Sequence, residues 1–264
     1  MKITVFTSNQ ARHISLIEDL AKIADEVYAV IESFTVFTGE VADFYNKTEI
    51  MQKYFRSAVI EPERQIFDAP RFLPKNVRAM VLKASDLSLL PMEFLKDALY
   101  SDRYIVFGSS YIKGPLVEFL VKNRTYNIHI GTSPYYRGNS CNFWAAYHGN
   151  FDYVGATIHL LSRGLDSGDM LFHAFPEQIG DPLLLGMKAV KAAHKGLIEN
   201  IKNGKIDKMT PVPQDKSSQI KYSRGADFTD EVARDYLENL PAPETVLEKL
   251  KNRDLSKFLN PYIG

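Results

Sequence analysis

The strongest constraint on the fold lies in the first thirty residues, which read as strand, turn, helix, strand. Residues 2–6 alternate around Ile3 and Val5 and run into the turn-prone Thr7-Ser8-Asn9. Leu16, Ile17, Leu20, Ala21, Ile23 and Ala24 then recur at helical spacing, and residues 27–31 form a continuous apolar run suited to a buried strand. Two strands joined through a helix lie parallel in one sheet, with a right-handed crossover. The chain is therefore expected to be an α/β protein with a mainly parallel, twisted sheet. Its 264 residues suffice for one sizeable domain with a small appendage.

Further along, residues 35–75 mix charge with aromatics and carry Pro70 and Pro74, which predicts irregular helices. Residues 104–107 make a short strand that stops at Gly108-Ser109-Ser110, and 113–122 read as a helix with Leu116, Phe119 and Leu120 on one face. Strands are predicted at 126–130, 154–161 and 170–175. Asp181 is placed to cap a long helix reaching about Asn203. After Gly204 the texture changes: 205–223 is polar with little periodicity, and 229–251 holds two short helical patterns separated by Pro241 and Pro243. This predicts a main domain over 1–204 and a C-terminal extension, 205–264, packing on it.

Charge and cysteine content exclude several functions. Thirty-two basic and 32 acidic residues cancel, so no overall field draws in nucleic acid or an anionic membrane, and neither is an expected partner. One cysteine, Cys141, excludes an internal disulfide and a multi-cysteine metal site. His13, His148, His173 and His194 have no partners at metal-ligand spacing, so no metal is expected. The start MKITVF enters a strand without a leader-like apolar stretch, and no run of eighteen apolar residues follows; a soluble, cytoplasmic protein is expected.

The chemistry-bearing stretch is residues 127–138, Asn-Ile-His-Ile-Gly-Thr-Ser-Pro-Tyr-Tyr-Arg-Gly. Residues two apart on a strand share a face, so Asn127 and His129 project together, at a strand end where open α/β sheets place ligands. An amide N–H and an imidazole side by side suit acyl transfer: one donates to a developing oxyanion, the other donates or shuttles a proton. By itself N-x-H is a weak signal. A second element strengthens it: residues 155–159 lead into Gly164-Leu165-Asp166-Ser167-Gly168, a tight glycine-flanked loop whose Asp is free to pair with His129.

Together these residues resemble the catalytic core of the 10-formyltetrahydrofolate-dependent formyltransferases. That family's pattern is N-x-H, then P-x-Y-R-G, then a strand and an L-D-x-G loop. Here it is met by Asn127, His129, Pro134, Tyr136, Arg137, Gly138, Leu165, Asp166 and Gly168. The resemblance covers about residues 1–200 and implies a Rossmann-like formyltransferase fold. It implies a catalytic triad of Asn127, His129 and Asp166, with N10-formyltetrahydrofolate as formyl donor. It also implies that backbone of Ser110, Tyr111, Ile112 and Lys113 meets the pterin edge, with Arg163, Gly164 and Leu165 closing the other side. Ile105, Leu116 and Ile158 are expected as walls or supports.

Departures from the family narrow the acceptor. The turn from Thr7 to His13 has no glycine, unlike the phosphate loop of the glycinamide ribonucleotide enzyme. The residues after Gly204 are too few for the added barrel of the methionyl-tRNA enzyme. After His129 the chain has Gly131-Thr132-Ser133-Pro134 where many relatives have S-L-L-P. The chain is most similar to the compact sugar-nucleotide N-formyltransferases, which implies a primary amine on a nucleotide-linked amino sugar, such as a dTDP- or GDP-4-amino-4,6-dideoxy sugar, as acceptor and a homodimer as the candidate assembly. Formylation of another small amine such as glycinamide ribonucleotide, and non-catalytic folate binding, are the alternatives. No G-x-G-x-x-G follows the first strand, which ranks a Rossmann oxidoreductase last. Arg137, Asn9 and His13 are the candidate acceptor-binding residues: Arg137 either grips a phosphate or pins its loop, and Asn9 and His13 flank the helix start where a phosphate can bind. His159 reads as a structural histidine. Cys141 reads as a small buried residue without a base, and Trp144, with Phe143 and Tyr147, as packing beneath the site.

Overall fold

The computed structural model describes residues 1–33, 42–69 and 71–264. Its opening is the strand–helix–strand unit expected from periodicity: β1 (Lys2–Ser8), α1 (Ala11–Ala21) and β2 (Glu26–Ser33), with β1 and β2 parallel. Both strands outrun their apolar cores because polar groups at their ends find partners. Thr7, for instance, is buried, and its hydroxyl donates to Phe107 O at 2.7 Å.

Next come α2 (Ala42–Tyr45), α3 (Glu49–Phe55), a π-helical turn at Arg56–Ile60 and α4 (Glu61–Phe67). Of the irregular helices expected over 35–75, residues 35–41 and Pro70 lie outside the described residues. β3 (Val77–Lys83) is a strand that periodicity missed. It lies at the sheet edge, where alternation of apolar and polar residues is weak and several of its side chains stay exposed. β4 (Arg103–Phe107), α5 (Gly114–Lys122) and β5 (Tyr126–His129) follow the expected pattern.

A three-residue strand, β6 (Tyr136–Gly138), leads into α6 (Cys141–Tyr147), β7 (Ala156–Leu160), β8 (Met170–Phe175) and the long α7 (Pro182–Lys202). Asp181 caps α7 as expected, its carboxylate accepting from Leu183 N at 2.8 Å. β9 (Lys221–Ser223), α8 (Asp230–Glu238), α9 (Pro243–Lys251) and β10 (Tyr262–Ile263) complete the described chain.

Among the described residues the main sheet has eight strands, ordered β10-β8-β7-β5-β4-β1-β2-β3. All neighbours from β3 to β5 are parallel. β7 runs antiparallel to β5, β8 antiparallel to β7, and β10 parallel to β8. The chain steps from β1 outward to β2 and β3, then crosses back to β4 and β5. That reversal opens a crevice at the carboxyl ends of the strands, where ligands of such sheets bind. It is the structural reason for a site here.

Burial on both faces holds the sheet together. One face packs Ile3, Val5, Ile105 and Ile128 against α1, α4 and α7; the other packs Phe6, Val30 and Val106 against α5 and neighbouring turns. Each fully buried side chain of this size contributes roughly 1.5–3 kcal/mol, whereas an exposed ion pair gives about 0–1 kcal/mol, so apolar burial dominates. Residues 205–264 join this framework directly. β10 extends the main sheet beside β8, β9 pairs with β6, and Arg103 grips Asp207 through two hydrogen bonds of 2.7 and 2.6 Å. Buried His173 ties in the last stretch by accepting from Leu259 N at 3.0 Å and donating to Ser133 O at 2.7 Å. Among the described residues no helix is long and apolar enough to cross a membrane.

Candidate active site

Asn127 and His129 end β5 with both side chains buried. Asp166 reaches them from the loop between β7 and β8, where its φ of +43° places it in the left-handed region that Asp tolerates better than most residues. One carboxylate joins the pair: Asn127 Nδ2 donates to Asp166 Oδ1 at 3.0 Å, and His129 Nδ1 lies 3.2 Å from Asp166 Oδ2. The three residues singled out in the sequence thus meet at one point.

Electrostatics favours the charged form of the pair. Burial works against ionisation of both groups, but the two opposite charges and the hydrogen bond between them outweigh it. Asp166 is held well below the usual carboxyl range, and His129 is raised well above the usual imidazole value, helped by the neighbouring Cys141 sulfur.

Two residues that looked structural in the sequence belong to this cluster. β5 and β7 are antiparallel with Asn127 opposite His159, so both side chains share a face. His159 Nε2 is 2.9 Å from Asn127 Nδ2 and 3.7 Å from Asp166 Oδ1, while its Nδ1 is 2.8 Å from Leu160 O. With Nδ1–H donating to that carbonyl, Nε2 accepts from Asn127, and both amide hydrogens of Asn127 are engaged. An oxyanion at Asn127 must displace one of them. Cys141 does have a basic neighbour, contrary to the reading from sequence: its sulfur lies 3.5 Å from His129 Nε2, and its S–H faces Gly138 O at 3.3 Å. No local spacing reveals this, because a loop of irregular geometry carries Cys141 back over His129. Gly131 makes room for that return, since a Cβ there would press on both side chains.

Beside the cluster lies a cavity of about 240 Å³ lined by residues 106–112, Val117, 127–130, 161–162 and 164–166. That is slightly below the roughly 300–1,000 Å³ of drug-sized ligand sites, so it suits a ring system and not the whole of an elongated ligand. Ser110, Tyr111, Ile112, Gly164 and Leu165 line it. Lys113 and Arg163 do not. The Lys113 ammonium sits 5.5 Å from the Tyr111 ring centre, and Arg163 turns outward to a bidentate pair with Glu118 at 2.6 Å while its carbonyl accepts from Tyr111 Oη. Ile105, Leu116 and Ile158 are fully packed behind the cavity as supports; its walls are Val106, Val117 and Ile128.

The three candidate acceptor-binding residues lie outside this cavity. His13 is buried, its ring 4.7 Å from that of Phe107 and its Nε2 filling the space where Gly108 lacks a Cβ. Burial, with Arg12 and His194 nearby, pushes its pKa well below the usual value. It supports the cavity floor and presents no surface to a ligand, a correction to the expectation. Asn9 donates to Ser33 Oγ at 3.1 Å beside the end of β1. Arg137 is fixed by strand pairing with Tyr222, and its Nη1 makes a 3.4 Å contact with Gln219 Oε1. On α6 Phe143 stacks with Tyr147 and Trp144 meets both edge-on, and Phe143 also meets Tyr54, Phe228 and Tyr236, which makes them packing as expected.

The motif glycines have steric reasons. Gly138 has φ +89°, and a Cβ on it would run into the Ser223 carbonyl where β6 meets β9; a Cβ on Gly168 would strike the Leu160 carbonyl. Gly138→Ala is expected to cost about 2–5 kcal/mol through strain and forced separation of the strands. Urea unfolding measures this, and a loss below about 0.5 kcal/mol would contradict it. Among the described residues no group of three or more His, Cys, Asp or Glu is placed to hold a metal ion.

No protein-family model matches the sequence. Over 121 residues it is 28% identical to the methionyl-tRNA formyltransferase of Thermosynechococcus vestitus, a match covering 43% of this chain and only 36% of that relative. Several solved structures share the fold. A 4-N formyltransferase from Francisella tularensis superposes with a TM-score of 0.51 at 16% identity, over 86% of this chain and 77% of its own. A sugar N-formyltransferase from Shewanella sp. gives 0.50 at 15% identity, over 86% and 78%. A glycinamide ribonucleotide transformylase from Symbiobacterium toebii gives 0.50 at 18% identity, over 81% and 94%. The chain has the formyltransferase fold.

Proposed function

We propose that this protein is an N-formyltransferase that moves a formyl group from an N10-formyltetrahydrofolate donor to a primary amine on a nucleotide-linked amino sugar. The observation that carries the reading is the Asp166 carboxylate joining Asn127 and His129 at the wall of a cavity sized for a ring system. In this reading the pterin ring enters the cavity, and the formyl carbon on N10, one methylene beyond the ring, faces the cluster. The neutral amine attacks that carbon, a C–N bond forms, and the carbonyl oxygen becomes an oxyanion. The His129 imidazolium donates to it through Nε2, trading a weak contact with a thiol sulfur for a charged acceptor. Asn127 adds a second donor once one of its N–H groups is released. Collapse breaks the bond to N10, which takes up a proton while the attacking nitrogen gives one up, with Asp166 keeping His129 charged and oriented throughout.

The acceptor class is supported by the sequence resemblance to sugar-nucleotide N-formyltransferases, by the fold likeness to the sugar N-formyltransferase from Shewanella sp. and by the absence of glycine from Thr7 to His13. A thermal-shift series with a stable folate, 5-formyltetrahydrofolate, and nucleotides tests donor and acceptor separately. At about a hundred times its Kd the folate adds about 2.7 kcal/mol of stability and raises the melting temperature by several degrees. A further rise with dTDP or GDP supports the sugar acceptor. A rise with glycinamide ribonucleotide but neither nucleotide replaces it, and no response to the folate rejects the donor.

A further inference from the structure

Residues 109–113, of which 109–112 line the cavity and Lys113 borders it in sequence, belong to no helix or strand, yet the shape of this rim decides what fits. What holds it lies behind it. Glu32, near the carboxyl end of β2, is fully buried. Its Oε1 accepts from Ser110 Oγ at 2.8 Å, from Ser85 N at 2.8 Å and from Leu87 N at 3.4 Å, and its Oε2 accepts from Ser110 N at 2.6 Å. One carboxylate therefore clips the segment after β3 and the rim after β4 to the end of β2. Ser88 adds a second tie, its hydroxyl accepting from Lys113 N at 2.9 Å and donating to Tyr111 O at 3.4 Å.

A buried carboxylate is tolerated only when donors satisfy its oxygens. Here the four donors come from two separate stretches of chain, so the group is satisfied only with both in place. The dependence is mutual: without Glu32, Ser110 N and Ser85 N are left without their acceptor. None of these contacts touches Asn127, His129 or Asp166, so Glu32 acts on the shape of the cavity and not on the reacting groups.

We propose that Glu32 is a positioning residue whose carboxylate sets the 109–113 rim and, through it, the affinity for the planar ring of the formyl donor. The second half rests on the donor reading above; the first does not. Glu32→Gln keeps the size but turns an N–H donor toward the rim donors. Two measurements separate the claims. Hydrogen exchange of the ligand-free protein is expected to rise about tenfold at the backbone of 84–88 and 109–113, with the central strands unchanged. In assays with formyl donor and amine, KM for the donor is expected to rise about tenfold, with kcat and the amine KM within about twofold.

Unchanged exchange at 109–113 in a folded Glu32→Gln protein overturns the positioning role. Equal losses for both substrates overturn it as well, since a general packing role predicts that outcome. Raised exchange in a protein whose wild type binds no 5-formyltetrahydrofolate keeps the positioning role and rejects the donor. Should Glu32→Gln fail to fold, Glu32→Asp keeps the charge but draws the carboxylate back by one methylene, and is expected to give the same pattern at about threefold; its absence overturns the proposal.

Discussion

Replacement of His129 by alanine is expected to lower the rate of formyl transfer by about 10²–10⁴-fold while leaving a folded protein. The imidazole is held from one side by Asp166, 3.2 Å from Nδ1, and its Nε2 faces only a thiol sulfur at 3.5 Å. That geometry leaves Nε2 as the strongest donor available to an oxyanion at the cluster. Its removal deletes a charged donor that acts in the transition state, so the loss should fall on kcat more than on KM. Folding tolerates the change because Asp166 keeps the Asn127 hydrogen bond and is partly open to solvent, which limits the cost to about 1–3 kcal/mol. Single-turnover kinetics with a thermal melt measures both. A variant retaining more than a tenth of the wild-type rate would sink the assignment.

Asp166→Asn should have the second-largest effect, about 10²–10⁴-fold, and through protonation more than shape. In the native protein burial alone would lower the His129 pKa, and the Asp166 carboxylate reverses that shift. With the carboxylate gone, burial, the largest single influence, is opposed by the Cys141 sulfur and no longer by Asp166, and His129 should titrate below its ordinary value of 6.5. NMR titration of the imidazole reads this directly, free of the ionisation of the attacking amine. The sign for stability follows. A raised His129 contributes stability fully present below 6.5 and lost as pH rises through its higher folded value. A depressed Asp166 contributes stability present above 3.8 and lost as pH falls through its lower folded value. The pair therefore stabilises most between about the ordinary carboxyl value of 3.8 and the ordinary imidazole value of 6.5, and Asp166→Asn should flatten the pH dependence on both sides. A His129 that still titrates above 6.5 in the variant would refute the coupling.

The legible parts of this protein were those written in local periodicity or in a spaced motif. Ile3 and Val5 alternate and Leu16, Ile17 and Leu20 recur at helical spacing, so the first βαβ unit could be read directly. β3 could not, because at the sheet edge its side chains need not alternate, and Val81 stays exposed. β6, β9 and β10 are two or three residues long, too short for any period to register, and exist only through pairing with distant chain.

The site divides in the same way. Asn127 and His129 share a face because they are two apart on one strand, a fact of backbone geometry that any reader of the sequence can use. His159 entered the cluster because β7 runs antiparallel to β5 in the register that sets it against Asn127. A shift of one residue would turn it to the opposite face. Cys141 met His129, and His13 went beneath the cavity floor instead of to its mouth, through loop and helix placements with no short-range signature. Glu32 carries no local signature, because the two segments that close on it lie more than fifty residues away. By itself the sequence determined the βαβ core, the strand bearing Asn127 and His129, and the glycine-flanked loop of Asp166, because each follows from interactions a few residues apart. The tertiary structure alone decided the antiparallel return of β7, the neighbours of His129 and the support of the cavity rim, because those depend on strand register and on loop closure over long separations.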